Sequence, residues 1–215
     1  ADPPSDGRPP QQTDDIQRAI RAARSPDSSS AAFGKVNGKV VMVGGSSGAC
    51  HAAWWALLGT NNDDRPEAVV CLSAFFDLDE AASLLVPKLK GVVQNYTNHL
   101  LTEGTPFHVA AQAASAYWQT PNGTPCPVLL INSTSETIPA TNYNEGVTKF
   151  TDAGGTVESH LRTGTEHAWT YWDLGYGGSF DTVKDCAIDF LDRMILGGSP
   201  TPPPVAPAKI VLLRK

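Results

Sequence analysis

The chain has 215 residues, of which 41% are apolar and 18% charged, so it can form one sizeable domain and is not a disordered protein. Its formal net charge of −6 argues against a nucleic-acid partner, because no basic block offsets the acidic excess. No apolar run approaches the length of a membrane span, and no signal-peptide pattern is present, so we expect no membrane partner. Because the first residue is Ala1 rather than Met, we expect a mature or excised part of a longer protein.

The first twelve residues, 1–12, are rich in proline, which blocks helices and central strands. Thr13 is then expected to cap a helix that continues to about Arg24. Ile16 and Ile20 lie on one face of that helix at helical spacing. The sequence therefore predicts a Pro-rich N-terminal segment followed by the first packed element of a domain.

Four apolar segments predict strands, at 39–43, 68–72, 128–131 and 156–162. Helical patterns follow these strands, at 47–58, 79–118, 143–153 and 181–196. The first three strands are continuous apolar runs, which suits strands that are covered on both faces. The alternation of strand and helix predicts an α/β fold: a parallel sheet with crossover helices on both faces.

The helical region 79–118 is longer than a simple crossover needs and is rich in aromatic residues. Tyr96, Phe107, Tyr117 and Trp118 favour a partial cap over a site, since ligand pockets are commonly lined by aromatic side chains. The alternative is a set of helices packed on the sheet.

We expect one domain at 13–196, followed by a Pro-rich linker or tail at 197–215 that has five prolines between Pro200 and Pro207. The apolar residues 210–213 would begin another element and are not assigned to this domain. We see no internal repeat.

Four cysteines leave two interpretations open. Cys50 and Cys71 lie on elements that should be neighbours, whereas Cys126 precedes a strand and Cys186 lies on the last helix. Two bridges, Cys50–Cys71 and Cys126–Cys186, are geometrically possible. Equally, all four could be buried free thiols. The spacing shows no C-x-x-C pair, so we expect no zinc or other metal.

The segment 39–58 fits a nucleophile elbow, in which a buried strand, a sharp turn and a helix follow in immediate succession. Gly44, Ser46 and Gly48 form G-x-S-x-G at the turn. The alternative is an ordinary turn or a phosphate-binding loop. Neither the G-K-[ST] ending nor the G-x-G-x-x-G spacing of phosphate loops is present. The pattern predicts Ser46 as a nucleophile.

A serine hydroxyl is a weak nucleophile that needs a base, and a histidine base needs a carboxylate to orient it. His167 lies in the loop after the last predicted strand, and Glu136 follows the third strand. Ligand sites form where such strand ends meet. The chain order Ser46, Glu136, His167 is the order that an elbow-type fold requires. We therefore predict these three residues as a catalytic triad.

Each member of this triad has competitors. Four other histidines lie within predicted strands or helices, where packing is the simpler role: His51, His99, His108 and His160. Asp77 follows the second strand, and Glu166 adjoins His167 in sequence but would point away from its ring. Asp152 and Asp173 are expected to be surface charges. The predicted base and acid remain His167 and Glu136.

Three motifs resemble those of α/β-hydrolase carboxylesterases, in the branch near hormone-sensitive lipase and bacterial feruloyl or acetyl-xylan esterases. They are GGSSGACHAA around Ser46, PVLLINSTSETIP around Glu136 and TGTEHAW around His167. Ser47, Ala49 and Cys50 depart from the family pattern around the elbow. Asn132 and Ser133 replace the His-Gly of the acid motif, and Glu136 replaces its Asp.

The family's H-G-G-G oxyanion loop, and the strands before the first helix, have no counterpart in this sequence. The fold is therefore expected to be truncated or minimal on its N-terminal side. With Ser47 N–H as the one oxyanion donor that we can place, weak activity is expected, since loss of one donor costs about 10²–10³ in rate.

The resemblance implies a serine carboxylesterase that needs no cofactor or metal. Its substrates would be small acyl esters, or ester groups on plant polysaccharide. Phe75, Phe76 and Trp169 are candidates for the pocket, with plain core packing as the alternative. Other interpretations are an inactive binding or scaffold module and a serine peptidase of the same fold.

Two expectations concern the environment of the protein. A sheet without its leading strands leaves an open edge, through which a homodimer could form. The Pro-rich tail and the cysteine pairs lean toward a secreted or extracytoplasmic modular protein.

Overall fold

A computed structural model describes residues 8–83, 87–176 and 179–197 of the chain. Within them lie four strands: β1 (Val41–Gly45), β2 (Ala68–Leu72), β3 (Val128–Ser133) and β4 (Val157–Arg162). They form one parallel sheet in the order β1-β2-β3-β4. The predicted parallel sheet is confirmed. The predicted element at 210–213 and most of the Pro-rich tail lie outside the described residues.

The two central strands, β2 and β3, are buried along their whole length, as continuous apolar strands covered on both faces should be. The outer strands β1 and β4 are partly exposed. Gly45 lies opposite Leu72, and Leu72 opposite Ile131, so the carboxyl ends of the first three strands are level. Residues that follow these strands therefore meet at one edge of the sheet.

The described part of the chain contains seven α-helices: α1 (Gln11–Arg24), α2 (Ser47–Leu58), α3 (Leu78–Ser83), α4 (Pro87–Thr97), α5 (Thr105–Ala113), α6 (Ala140–Asp152) and α7 (Val183–Leu196). Three short 3₁₀ turns lie at Leu101–Glu103, Ala116–Trp118 and Ala168–Tyr171. One apolar cluster joins a face of the sheet to α2 and α6, and another joins the opposite face to α7. Helices thus cover both faces, as predicted.

The first helix differs from its predicted start. It begins at Gln11 rather than after Thr13, and its N-cap is Pro10 without a side-chain cap. The Thr13 hydroxyl instead donates a hydrogen bond to the Pro10 carbonyl at 2.6 Å. Thr13 lies within the first turn of the helix, so it cannot be the cap, and the helix includes the last two residues of the predicted segment 1–12.

The insertion between β2 and β3, which contains α3, α4 and α5, has an apolar cluster of its own. That cluster includes Phe75, which follows β2, and Ile138, which follows β3. The insertion therefore joins the domain at the carboxyl end of the sheet rather than on one of its faces. This is the location expected of a partial cap beside the predicted site.

The four cysteines are free thiols, so the free-thiol interpretation is confirmed and the alternative with two disulfides is wrong. Cys126 packs on one face of the sheet and Cys186 on the other, so those two cannot meet. Cys50 Sγ donates to the Ser46 carbonyl at 3.4 Å, and Cys71 Sγ to the Ala49 carbonyl at 3.5 Å. Burial raises the pKa of the Cys50 thiol to about 12, which keeps it protonated.

Across residues 8–83, 87–176 and 179–197, no helix combines the length and the apolar character needed to cross a membrane.

Candidate active site

Ser46 lies at a sharp turn between the last residue of β1 and the first residue of α2. Its dihedral angles, φ 56° and ψ −121°, are strained for a residue with a side chain. The Ser46 N–H donates to the Leu72 carbonyl at 2.8 Å, which ties the turn to β2. A Cβ on Gly44 would overlap the Gly48 carbonyl, so the strand and helix meet this closely only because residue 44 is glycine. The predicted strand, turn and helix are all present.

Glu136 and His167 form a hydrogen-bonded pair at the adjacent strand ends. His167 Nδ1 and Glu136 Oε2 are 2.5 Å apart. The Glu136 side chain is fully buried, whereas 35% of the His167 side chain is exposed. An ionised carboxylate only accepts hydrogen bonds, so the proton belongs on His167 Nδ1, which leaves Nε2 as the basic nitrogen.

The other carboxylate oxygen of Glu136 also accepts hydrogen bonds. Glu136 Oε1 accepts hydrogen bonds from the Ser133 backbone N–H and from Ser73 Oγ, both at 2.8 Å. With His167, this gives the buried carboxylate three donors. Such donors replace hydrogen bonds that a buried carboxylate would otherwise make with water.

The loop that carries His167 is fastened to the ends of β3 and β4. Ser133 Oγ donates to the Glu166 carbonyl at 2.7 Å. Arg162 Nη1 donates to the Glu166 carboxylate at 2.7 Å, and this pairing lowers the pKa of Glu166. Glu166, the competing acid, is therefore engaged with Arg162 and not with the imidazole.

Asp77, the other competing acid, caps a helix. Its Oδ1 accepts hydrogen bonds from the backbone N–H groups of Asp79 and Glu80 in the first turn of α3. Its Oδ2 accepts a hydrogen bond from Trp118 Nε1 at 3.0 Å. Burial raises the pKa of Asp77. These contacts give it a structural role in the insertion.

The remaining histidines have partners away from Ser46. Their contacts are His51 with Gln12, His99 with Glu103, His108 with Asp79, and His160 with the Tyr176 carbonyl. His160 also stacks on the Tyr176 ring. Of the five histidines, His167 is the one that the structure brings to Glu136.

Among the described residues, no hydrogen bond joins Ser46 Oγ to the His167 imidazole. Such catalytic bonds often tighten only when substrate binds. The proximity of the two loops is shown by Trp169, two residues after His167. A Cβ built on Gly45 would lie 2.5 Å from Trp169 Nε1, so the histidine loop reaches over the elbow.

Ser47, the predicted oxyanion donor, is exposed and is the first residue of α2. The first backbone donors within this helix are Ala49 and Cys50, both of which bond to the Ser46 carbonyl. The N–H of Ser47 precedes them and is one of the groups that a helix start leaves without an intrahelical acceptor. It can therefore hold negative charge that develops beside Ser46.

The three predicted pocket residues lie in different surroundings. Phe76 is 1% exposed and meets Phe150 edge to face within the core, so core packing is its role. Phe75 is buried in the cap cluster. Trp169 is 52% exposed and lies against Gly45, so it is the one of the three that presents a surface at the elbow.

Two further residues at this edge were not singled out by the sequence: Ser73, which bonds to Glu136, and Tyr171, whose hydroxyl lies 2.9 Å from Ser73 Oγ. The available signal was weak, namely that Ser73 directly follows a buried strand. Within the described ranges, no group of three or more His, Cys, Asp or Glu side chains could hold a metal ion.

No protein-family model and no curated protein sequence matches the chain. Solved structures do match in fold. An acetyl ester-xyloside bifunctional hydrolase from Caldicellulosiruptor lactoaceticus superposes with a TM-score of 0.61 and 17% identity, over 88% of this chain and 67% of that one. The native esterase Est2 of Thermogutta terrifontis superposes with a TM-score of 0.58 and 16% identity, over 90% of this chain and 66% of that one.

A truncated carbohydrate esterase from gut microbiota matches with a TM-score of 0.54 and 16% identity, over 72% of this chain and 61% of that one. The chain thus spans about two thirds of the length of these structures or slightly less. Likeness at such low identity concerns the fold, since one fold carries many functions. The parallel sheet, the strand–turn–helix at Ser46 and these structural matches together show that the chain has the α/β-hydrolase fold.

Proposed function

We propose that the protein is a serine carboxylesterase that uses Ser46, His167 and Glu136. The observation that carries this proposal is the fully buried Glu136 carboxylate, bonded to His167 at the strand ends that also present the strained Ser46. A buried carboxylate, an oriented imidazole and a serine at an elbow are the components of nucleophilic acyl transfer. Two of the matched solved structures are named as esterases and one as an acetyl ester-xyloside bifunctional hydrolase, and these names support the same reaction class.

In the proposed mechanism, Ser46 Oγ attacks the ester carbonyl carbon while His167 Nε2 takes the serine proton. Glu136 stabilises the imidazolium that forms, and the Ser47 N–H donates to the developing oxyanion. The tetrahedral intermediate then expels the alkoxide, which receives the proton from His167, and an acyl-enzyme remains on Ser46. Water attacks this ester with His167 as base, which releases the acid and restores the serine.

The substrates that we propose are small acyl esters, including ester groups on polysaccharide. Trp169 supports this choice, because its half-exposed indole lies beside the elbow and is braced by Trp172, with ring centroids 5.4 Å apart. An aromatic face in that place can pack against an acyl chain or the apolar face of a sugar ring. One matched structure is named as an acetyl ester-xyloside bifunctional hydrolase and another as a carbohydrate esterase.

The test is hydrolysis of p-nitrophenyl acetate and butyrate by the wild-type chain, Ser46→Ala and Ser47→Ala. We expect Ser46→Ala to lower kcat by at least about 10⁴, as removal of a serine nucleophile does. Ser47→Ala is the matched control: it removes the neighbouring hydroxyl but keeps the backbone N–H, so we expect activity within a few-fold of wild type. Equal activity in Ser46→Ala and wild type would contradict the proposal.

A second candidate is an inactive binding or scaffold module, which the missing hydrogen bond between Ser46 and His167 favours. An organophosphate probe separates the two: an esterase would be labelled at Ser46, as intact-mass and peptide spectra would show, and Ser46→Ala would not. A wild-type chain that stays unlabelled would support the scaffold. A parallel panel of amide and ester substrates tests for peptidase activity.

The dimer and the extracytoplasmic location remain predictions. The dimer is proposed to form through β1, which is an outermost strand of the described sheet and is partly exposed. Light scattering at micromolar concentration should give twice the monomer mass, and a monomer would contradict the dimer. The free thiols remove the disulfide argument for secretion, so the location depends on the Pro-rich tail alone.

A further inference from the structure

Ser73 is the first residue after β2 and is fully buried at the edge of the sheet where the site lies. It has a positive φ of 54°, which is unusual for a residue with a side chain. Its backbone N–H donates to the Ile131 carbonyl at 2.8 Å, so the strained residue is tied to β3.

The Ser73 hydroxyl has three neighbours at hydrogen-bond distance. Glu136 Oε1 is 2.8 Å away, the Ala168 backbone N–H 2.9 Å and the Tyr171 hydroxyl 2.9 Å. Because ionised Glu136 can only accept, the one proton of Ser73 goes to Glu136. Ala168 N–H must then donate to Ser73 Oγ. Tyr171 can donate to Ser73 or to the Ile131 carbonyl, which is 3.0 Å from its hydroxyl.

Ser73 Oγ is therefore hydrogen-bonded both to Glu136 and to Ala168, the residue that directly follows His167. The two ends of the Glu136–His167 hydrogen bond are joined through Ser73, independently of the bond itself. A displacement of the histidine loop from Glu136 would have to break the Ala168–Ser73 bond as well. We propose that Ser73 is a positioning residue, which acts through Glu136 and the histidine loop to hold His167 in its working orientation.

The distribution of backbone strain supports this role. Five non-glycine residues in the described ranges have positive φ: Ser46, Asn62, Ser73, Asn98 and Ala168. The two asparagines tolerate this conformation well, whereas the serines and the alanine do not. All three of the latter meet at the site, and Ser73 and Ala168 are bonded to each other. Strain of this kind persists where the surroundings fix the geometry, which is typical of functional sites.

The charged and titratable groups around this network are few. Glu136 and His167 are the pair itself, and Glu166 is held by Arg162, whose guanidinium also lies 5.3 Å from the centre of the Tyr171 ring. Burial raises the pKa of Tyr171, so its phenol keeps its proton throughout the working pH range. Tyr171 therefore stays available as a hydrogen-bond donor to Ser73 Oγ or to the Ile131 carbonyl.

This inference rests on the proposed function for its kinetic readout but not for its spectroscopic one. In Ser73→Ala, Glu136 loses a hydrogen-bond donor on Oε1. Its carboxylate then interacts more strongly with the His167 imidazole. The protonated imidazole is then favoured, and the acidic limb of the kcat/KM profile moves to higher pH. We expect kcat/KM at its optimum to fall about tenfold, because loss of one hydrogen bond to a charged group has an effect of that order, with KM nearly unchanged.

The spectroscopic readout is the proton NMR signal of His167 Nδ1–H, assigned by its loss in Glu136→Gln. We expect Ser73→Ala to shift or broaden this signal, and to raise the midpoint of the pH dependence of the imidazole signals. Neither observation needs turnover. If wild type hydrolyses no ester, the proposed function fails, whereas the NMR comparison still decides the role of Ser73.

Ser115→Ala is the matched control. Ser115 is as deeply buried, and its hydroxyl makes two hydrogen bonds, with Leu78 N–H and the Ala111 carbonyl, inside the insertion. It should lose similar stability with no change in pH profile or in the His167 signal. If Ser73→Ala fails to fold, Ser73→Gly removes the hydroxyl at a φ that glycine accepts. An unchanged His167 signal and acidic limb in a folded Ser73 variant would overturn the proposal.

Discussion

The two halves of the site are held in different ways. The acid–histidine half is fixed by polar side chains from several elements, among them Ser73, Ser133 and Arg162. The nucleophile half is fixed by backbone: Ser46 N–H bonds to β2, and Gly44 lets the strand and helix meet. Backbone contacts and close packing set the position of Ser46, whereas side-chain hydrogen bonds set the position of His167.

This difference shows where each half should fail. A polar network loses function when one donor or acceptor changes type, even if the shape is kept. A backbone turn tolerates changes in polarity but not added volume. The two halves should therefore respond to different substitutions, and the changes below are ordered by expected effect.

Glu136→Gln keeps the shape of the acid and removes its charge. We expect kcat to fall by about 10³–10⁴, because an amide no longer stabilises the imidazolium and favours the wrong tautomer. The neighbouring Glu166→Gln is the control, since that carboxylate pairs with Arg162, and it should change kcat less than tenfold. Steady-state kinetics on p-nitrophenyl acetate measures both. A larger loss in Glu166→Gln than in Glu136→Gln would reassign the acid.

Gly44→Ala adds one methyl group where the elbow has no room, because its Cβ would overlap the Gly48 backbone. We expect the free energy of unfolding to fall by about 1–3 kcal/mol or more. Gly48→Ala is the matched control: nothing lies within 4 Å of its Cβ, and alanine favours the helix by up to about 1 kcal/mol.

Urea denaturation followed by circular dichroism would compare these two glycine variants with wild type. Equal stability of the two would show that close packing does not hold the nucleophile half.

Trp169→Ala tests where the two halves meet, since this indole of the histidine loop lies against Gly45. We expect KM for aryl and sugar esters to rise several-fold, with little change in unfolding temperature because the side chain is 52% exposed. Phe33→Ala is the control, as Phe33 is 57% exposed and lies in the loop before β1. A KM that rises equally in both variants would remove Trp169 from the proposed pocket.

Glu145 provides a contrast with the well-bonded Glu136. Burial, with Glu80 and Asp77 nearby, raises the pKa of Glu145 to about 7. Between about pH 4.5 and pH 7, Glu145 is protonated in the folded state but has lost this proton in the unfolded chain. The stabilisation from this group is therefore complete below about pH 4.5, and it is lost as the pH rises through 7.

Glu145→Gln should consequently raise the unfolding temperature slightly at pH 8 and leave it nearly unchanged at pH 4. The exposed Asp173→Asn should show no such trend. Calorimetry at the two pH values measures the difference. If Glu145→Gln raised the unfolding temperature more at pH 4 than at pH 8, the result would contradict a raised pKa for Glu145.

Sequence patterns predicted the sheet well because buried parallel strands are continuous apolar runs, and those runs matched β2 and β3 closely. They also placed Ser46, Glu136 and His167 at strand ends, where a parallel sheet brings residues together. The start of α1 was missed because the helix begins after Pro10 with no capping side chain to mark it.

Other features depend on three-dimensional contacts that spacing does not report. A bridge between Cys126 and Cys186 was one alternative that the sequence left open, but the two residues pack on opposite faces of the sheet. Phe76 was a candidate for the pocket with core packing as the alternative, and the structure shows it in the core against Phe150. Ser73 could not be recognised, because its role follows from a positive φ and from contacts with residues more than 60 positions away.

The sheet adds its strands in chain order, β1 to β4, and this has a consequence for folding. Each new strand docks beside the one made just before it, so the sheet can grow from one end as the chain is synthesised. Ser46 arrives with the first strand, Ser73 with the second, Glu136 with the third and His167 only after the fourth. A partly folded chain would hold the nucleophile without its base, so reactivity at Ser46 would report that the last strand has docked.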